Sequence, residues 1–149
     1  MLKRRKKGFT LPELLIAAVV FLIAFVGILL SYLRCMELSE LSQNSSLAVA
    51  AVKSEMEKVK DTAFVDILGN FDKKNFTANG INGKGVSYVD STNSRLLKVT
   101  ISFSWKQKSG IIVGEDKNIN GQLDAGEDKN GNGVLDSIVE AASYVYDKQ

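Results

Sequence analysis

The sequence contains no histidine, one cysteine and one proline. Without histidine, the chain cannot build a Ser-His or Cys-His nucleophile system. Zinc sites rich in histidine or cysteine are excluded as well. A lone cysteine cannot form an intrachain disulfide. We interpret Cys35 as a small packing residue, with lipidation or a crosslink to a neighbouring chain as alternatives. Since no nucleophile–base pair can be named, we predict that the protein is not an enzyme.

The first eight positions contain no acidic residue, so the net charge of the whole chain does not describe the charge of the rest of the protein. The formal charge is +2, but five of the nineteen basic residues lie between Lys3 and Lys7. Without residues 1–8, the chain has fourteen basic and seventeen acidic side chains, a net charge of −3. A nucleic-acid partner is therefore not expected. Basic residues beside an apolar span stay in the cytoplasm, so the C-terminal domain should lie outside the membrane.

Charge is also absent from a long apolar run. The twenty residues from Leu14 to Leu33 contain no charged side chain. As a helix they would cover roughly 30 Å, the thickness of the hydrocarbon core of a bilayer. A secretory signal peptide would have a shorter apolar core and a cleavage site of small residues after it. Glu13 stands at the start of the run, and a carboxylate at a membrane span is costly, so Glu13 is a candidate functional residue.

The residues around this carboxylate resemble the N-terminus of type IV prepilins and pseudopilins. The similarity rests on Gly8-Phe9-Thr10-Leu11, on Glu13 and on the apolar run after them. It implies that a prepilin peptidase cuts between Gly8 and Phe9, and that the new amino group of Phe9 is methylated. One departure is the proline before Glu13, which a first helical turn tolerates because that N–H has no intrahelical partner.

A second pattern occupies residues 116–127, which we call the first loop. Calcium loops of the EF-hand type place oxygen ligands at positions 1, 3, 5, 7, 9 and 12, with glycine at position 6 and a closing glutamate. Gly121 holds position 6 here. The predicted ligands are Asp116, Asn118, Asn120, the backbone carbonyl of Gln122, Asp124 and Glu127. These residue types also favour ordinary turns, but ordinary turns do not explain an ordered period. We predict one calcium ion in this loop.

The next twelve residues, 128–139, form a second loop that repeats the pattern incompletely. The predicted ligands are Asp128, Asn130, Asn132, the backbone carbonyl of Val134, and Asp136. Position 12 is Val139, whose side chain cannot bind, and Glu140 comes one residue late. A second calcium ion would therefore need a borrowed ligand or a shared Glu127. Strand residues lie on both sides, so these are EF-hand-like loops without the EF-hand helices, as in dockerin-type repeats.

The prepilin resemblance implies a structural subunit, a minor pilin or pseudopilin of a type IV filament or type II secretion system. Its partners would be other pilin or pseudopilin subunits, the prepilin peptidase and an assembly platform in the inner membrane. The chain would begin as a single-pass protein of the bacterial cytoplasmic (inner) membrane and pass into an extracellular or periplasmic filament. There Glu13 would pair with a cationic N-terminal amine. The alternative is a membrane-anchored, calcium-binding adhesin that never polymerises and keeps residues 1–8.

The sequence divides into a basic leader at 1–8, a transmembrane or filament-core helix at 9–34 and a globular domain at 35–149. The globular domain contains the predicted calcium-binding loops at 115–136. One helix should run from about Phe9 to Lys60, and its second half is amphipathic. The apolar residues at helical spacing are Leu38, Leu41, Ala48, Val52, Met56 and Val59.

Strand patterns follow this helix. Residues 69–85 are rich in Gly and Asn and predict a loop, followed by a short strand at 86–89 and a turn at 90–94. From Leu97 to Lys106, apolar and polar residues alternate, which predicts a strand with one buried and one wet face. A last strand at 138–146 would pair with it. We predict an α+β fold like that of type IV pilins, a long helix packed on a small antiparallel sheet.

Overall fold

The computed structural model describes residues 8–147, so the predicted leader, apart from Gly8, lies outside the described residues. The chain forms two compact units, residues 1–39 and 40–149. The elements are α1 (Leu11–Asp61), α2 (Phe64–Phe71), β1 (Lys74–Phe76), β2 (Gly83–Asn93), β3 (Leu96–Lys106), β4 (Ile112–Val113) and β5 (Glu140–Tyr146).

The first unit contains the apolar part of α1. Pro12 lies in the first turn, as the sequence predicts. The large apolar side chains from Leu14 to Leu33 are exposed. An 18-residue window of this helix reaches a mean hydropathy of 3.0 with none of it buried, so the helix is long and apolar enough to cross a membrane. Cys35 is exposed and does not pack within this unit.

In the second unit, the rest of α1 buries one face. The predicted apolar stripe is present from residue 48 onward, where the buried residues are Ala48, Val52, Met56 and Val59. Burying an aliphatic side chain fully contributes about 1.5–3 kcal/mol, so these residues hold the helix on the sheet. The stripe was predicted to begin earlier, but Leu41 is only partly buried and Leu38 is exposed.

The sheet is antiparallel and is centred on β3. One edge of β3 pairs with β2, which in turn pairs with β1. The other edge is shared, because β5 pairs with residues 96–102 of β3 and β4 pairs with residues 105–106. This arrangement of a long helix and a small antiparallel sheet confirms the predicted α+β fold. The last strand begins at Glu140, two residues later than predicted.

The inner face of β3 packs on the helix. Its side chains form the alternating apolar set and belong to one core cluster with the stripe of α1. They are Leu97, Val99, Ile101, Phe103 and Trp105, each at most 5% exposed. All buried apolar residues of the described chain lie between 48 and 139. The second unit therefore contains its own complete core.

The outer face of β3 departs from the prediction. The strict alternation of apolar and polar residues predicts that this face is exposed to solvent, but Ser102 and Ser104 are only 2% and 3% exposed. They are covered by residues 114–139, the loop segment that connects β4 to β5. The Ser102 hydroxyl donates to the carbonyl of Leu135, and Gly114 lies against Ser104. Alternation shows which face a side chain is on, but not what packs over that face from elsewhere in the chain.

The prediction of a loop at 69–85 is wrong. This stretch contains the end of α2, all of β1 and the start of β2. The ring of Phe76 lies over Gly85, its partner across the β1–β2 ladder, and a side chain at Gly85 would overlap it. At Gly83, a side chain would collide with the backbone of Ser104. Glycine here permits close approach inside a strand and does not mark a turn.

The predicted turn at 90–94 also lies inside the sheet. β2 continues to Asn93 with an irregular register between Asp90 and Asn93, and β3 begins at Leu96. The Asp90 carboxylate accepts hydrogen bonds from the hydroxyl and the backbone N–H of Thr92. Such local side-chain bonds are typical of turns, which is why this irregular strand end resembles one in the sequence.

We expect Ser102→Val to destabilise the domain by about 1–3 kcal/mol, because it adds methyl groups in a closed space and leaves the Leu135 carbonyl without its donor. Thr100→Val is the matched control, since Thr100 lies on the same face and is only half-buried. Its stability should change by less than about 0.5 kcal/mol. Urea unfolding of residues 40–149 measures both. Equal stability of the two variants would show that the loop segment does not pack on β3.

Candidate functional sites

The start of α1 contains the predicted processing and assembly residues. Gly8, Phe9 and Thr10 precede the helix, and the Thr10 carbonyl accepts the N–H of Leu14 at 3.1 Å. Phe9 is 81% exposed, so the bond between Gly8 and Phe9 lies in accessible, non-helical backbone. Glu13 is exposed in the first helical turn, where the helix dipole favours negative charge.

The two predicted calcium loops share a positive φ at positions 4 and 6. In the first loop, positions 4 and 6 are Ile119 and Gly121, with φ values of 56° and 75°. In the second loop, the same positions are Gly131 and Gly133, with φ values of 74° and 77°. A positive φ is uncommon for a β-branched residue such as isoleucine, so the loop imposes it. The twelve-residue period of the sequence is therefore repeated in the backbone.

The aspartate at position 1 anchors each loop. Asp116 accepts the backbone N–H of Asn120 at 3.1 Å and that of Gly121 at 2.8 Å. Asp128 makes the same two bonds to positions 5 and 6 of the second loop, at 3.1 and 2.8 Å. Asp116 is 1% exposed, whereas Asp128 is half-buried. Each aspartate thus fixes the sharp turn at the glycine of its own loop.

Positions 3, 5 and 9 converge inside each loop. The side-chain amides of Asn118 and Asn120 both donate to Asp124 Oδ2 at 2.8 Å. These bonds, that of Asn118 first, hold the pKa of Asp124 below its usual value. The second loop repeats the arrangement with Asn130, Asn132 and Asp136.

The asparagine at position 5 of each loop orients the peptide group at position 7. The backbone N–H of Gln122 donates to the side-chain oxygen of Asn120 at 2.6 Å. In the second loop, that of Val134 donates to Asn132 at 3.0 Å. These turns set the direction of the peptide groups whose carbonyls are the predicted position-7 ligands.

Glu127 closes the first loop, as its place at position 12 predicts. Its two carboxylate oxygens accept the backbone N–H groups of Lys117 at 2.8 Å and Asp124 at 3.0 Å. In the second loop, Val139 at position 12 belongs to the apolar core. Glu140 lies in β5, opposite Ser102. Neither residue closes the second loop.

The sequence analysis missed Glu115. Its Oε1 accepts the N–H of Lys129 and its Oε2 accepts the N–H of Asp136, each at 3.2 Å. Glu115 is 8% exposed. The signal that could have found it is the true start of the repeat: Gly-Glu-Asp-Lys-Asn occurs at 114–118 and again at 126–130. Starting the repeat at Asp116 leaves this glutamate outside it.

The loop segment is tied to itself and to the sheet. The N–H of Glu115 donates to the carbonyl of Asp136 at 2.9 Å, which joins the two ends of the segment. The N–H of Leu135 donates to the hydroxyl of Tyr88 at 3.1 Å. Burial raises the pKa of Tyr88, so this phenol stays protonated at neutral pH. Since Tyr88 lies in β2, the loop segment is bonded to that strand as well as to β3.

Three carboxylates of the loop segment are buried without a cation. Asp116, Glu115 and Glu127 are each at most 8% exposed. The ion pairs formed within residues 8–147 lie in α1 and involve none of them. Lys84 and Lys117 donate to carbonyl oxygens of the first loop instead. Backbone N–H groups satisfy the carboxylate oxygens but do not neutralise their charge, and buried unpaired charge is costly.

The described residues contain no converged group of three or more Asp, Glu, His or Cys side chains that could hold a metal. In each loop, two asparagine nitrogens lie against the position-9 carboxylate, where an ion would need oxygen. The side-chain oxygens of Asn118 and Asn120 accept the backbone N–H groups of Asn120 and Gln122. The loops supply carboxylates, amide oxygens and peptide carbonyls, which are the ligand types that Ca²⁺ prefers. The residue types and their order fit calcium.

Residues 3–29 match a family model described as the prokaryotic N-terminal methylation motif. Residues 3–29 are a prepilin-type N-terminal segment. The match confirms the family predicted from the sequence. A motif of this kind implies processing by prepilin peptidase and assembly with other pilins in a membrane-associated machinery. Neither the curated proteins nor the solved structures compared with the chain contain a match. The loop segment of the precursor lies outside the matched residues.

Glu140, beside the second loop, gives a prediction about pH. Burial, and to a smaller degree the charge of Asp136, raises the pKa of Glu140. The folded state thus binds this proton more tightly than the unfolded chain does, so ionised Glu140 lowers stability at neutral pH. We expect Glu140→Gln to raise the free energy of unfolding at pH 7 by under about 1 kcal/mol, since solvent screens much of the effect.

The gain should vanish below the ordinary glutamate pKa of about 4.3, where both states bind the proton. Chemical unfolding in chelator between pH 4 and pH 7.5 measures the difference between variant and wild type. Glu57→Gln, an exposed position on α1, is the control and should show no such trend. A gain that grows as the pH falls would contradict the assignment.

Proposed function

We propose that the protein is a minor pilin or pseudopilin of a type IV filament or type II secretion system, cut between Gly8 and Phe9 and methylated on Phe9. The observation that carries this proposal is the methylation motif followed by an apolar helix with no cover. After cleavage, the apolar part of α1 lies first in the inner membrane. It then packs against the same segment of neighbouring subunits in the fibre.

Two properties of the first unit support assembly. Its apolar side chains are exposed along the whole membrane-length stretch, and only lipid or other apolar helices can cover them. Glu13 is an acidic residue at the start of that stretch. A lone carboxylate in the centre of a bilayer costs a few kcal/mol, whereas pairing with a cation offsets the cost. The methylated amine of Phe9, its own or a neighbour's, supplies that cation.

We further propose that the loops bind calcium and that the ions clamp the loop segment onto the sheet. The order of the ligand types and the buried carboxylates without a cation support this. Calcium outside the cell is millimolar, so sites with dissociation constants on the order of 10⁻⁴–10⁻³ M are filled there. The role is structural: the ion replaces the missing positive charge and holds β4 and β5 against β3.

Processing gives the first test. The mature protein from native membranes should begin at N-methylated Phe9, because Gly8 offers the peptidase a small, unhindered residue before the cut. Intact mass and N-terminal sequencing measure this. Gly8→Leu should keep the leader, since the side chain blocks the site. A wild-type chain that retains residues 1–8 beside an active prepilin peptidase would favour the non-polymerising adhesin.

Assembly gives the second test. Glu13→Ala should insert into the membrane normally but enter filaments about tenfold less well, since losing about 1.4 kcal/mol of pairing changes an equilibrium by that factor. Glu37→Ala is the matched control, because Glu37 lies beyond the apolar run and pairs on the surface with Arg34. Immunoblots of sheared filaments against membrane fractions measure incorporation. Equal incorporation of both variants would remove the pairing role of Glu13.

Calcium gives the third test. Residues 40–149 should melt at a higher temperature in calcium than in chelator, because the ion binds only the folded loops. At ten times the dissociation constant, one site adds about 1.4 kcal/mol, a shift of several degrees for a domain of this size. Glu127→Gln should lose a large part of the shift, and Glu57→Gln none. Magnesium should substitute poorly, because it resists a ligand shell this large. Identical melting in chelator and in calcium would refute calcium binding.

A further inference from the structure

We infer that Glu115 is the missing ligand of a second calcium site, so that each loop is closed by the glutamate that stands just before the other loop. Glu127 precedes the second loop and closes the first. Glu115 precedes the first loop and closes the second. The inference rests on the proposed calcium binding and adds a second, complete site to it.

The two glutamates make the same set of contacts. Glu127 accepts from the N–H groups at positions 2 and 9 of the first loop, at 2.8 and 3.0 Å. Glu115 accepts from the N–H groups at positions 2 and 9 of the second loop, both at 3.2 Å. Their own backbones also correspond. The N–H of Glu127 donates to the carbonyl of Asp124 at position 9, and the N–H of Glu115 donates to that of Asp136 at position 9.

The amino-acid sequence gives independent support, because the two glutamates are equivalent in it. The unit Gly-Glu-Asp-Lys-Asn-x-Asn-Gly-x-Leu-Asp occurs at 114–124 and again at 126–136. Glu115 and Glu127 are both the second residue of the unit. A chain in which each copy closes the other needs no glutamate after the second copy, which explains why the pattern stops at Val139.

The other carboxylates near the second loop are less suitable. Both oxygens of Glu127 are committed to the first loop. Glu140 lies in the β5 ladder opposite Ser102, and it accepts none of the N–H groups of the second loop. Among the described residues, Glu115 alone places both carboxylate oxygens at positions 2 and 9 of that loop.

The charge of Glu115 points to a bound cation. The side chain is more than nine-tenths buried and faces the second loop. Within residues 8–147 it has no side-chain partner and no ion pair, only backbone N–H donors. Asp128 at position 1 and Asp136 at position 9 are two further carboxylates of the second loop, and no ion pair within residues 8–147 neutralises any of the three. A divalent cation with a preference for hard oxygen ligands compensates them.

Calcium titration of the full-length chain in detergent micelles tests this by counting bound ions. Chelator-treated protein is titrated by calorimetry. The wild type should bind two ions, Glu115→Gln one, Glu127→Gln one, and the double variant none. Glu140→Gln is the matched control and should still bind two. Glutamine keeps only one of the two acceptors for the backbone N–H groups, so each variant is also melted in chelator. A cooperative transition there shows that the variant is folded, which separates loss of a ligand from loss of the fold.

Two ions in Glu115→Gln would overturn the inference, as would one ion in Glu140→Gln. A wild type that binds one ion, with no change in Glu115→Gln, would overturn the second site but leave the first loop as a calcium site. A wild type that binds none would refute the proposed calcium binding itself, and the inference would fall with it.

Discussion

Buried negative charge with no lysine or arginine partner among residues 8–147 is the constraint on which the outer layer of the globular unit depends. Asp116, Glu115 and Glu127 are all nearly inaccessible, and each organises the loop segment by accepting backbone N–H groups. These carboxylates give the loops their shape, but burying their negative charge costs free energy. The proposed calcium ions would compensate this charge and keep the shape of the loops.

The loop segment is connected to the rest of the unit through β3. Its inner face packs on the amphipathic part of α1, its two edges pair with β2 and with β4 and β5, and its outer face lies under the loop segment. A change in the loops therefore acts on the strand that carries the core. The first unit is separate from this core, and its helix is long and apolar enough to cross a membrane.

The sequence predicts the parts of this protein that depend on local pattern. The uncharged run before Leu33, the inner face of β3 and the order of oxygen ligands in the first loop each follow from residue type and spacing. It does not predict contacts made by residues distant in the chain. Gly83 and Gly85 look like loop residues because only the fold shows Ser104 and Phe76 packed against them. Glu115 is missed because its carboxylate accepts N–H groups of the second loop, which lies beyond the first loop in the chain.

A crystal structure of residues 40–149 grown with calcium, with anomalous diffraction recorded at long wavelength, tests the account most directly. The fragment retains every buried apolar residue of the described chain. Two anomalous peaks are predicted, each about 2.3–2.6 Å from its ligand oxygens. One should lie between Asp116 and Glu127, and the other between Asp128 and Glu115. A loop segment packed on β3 with no peak in either loop would contradict the account.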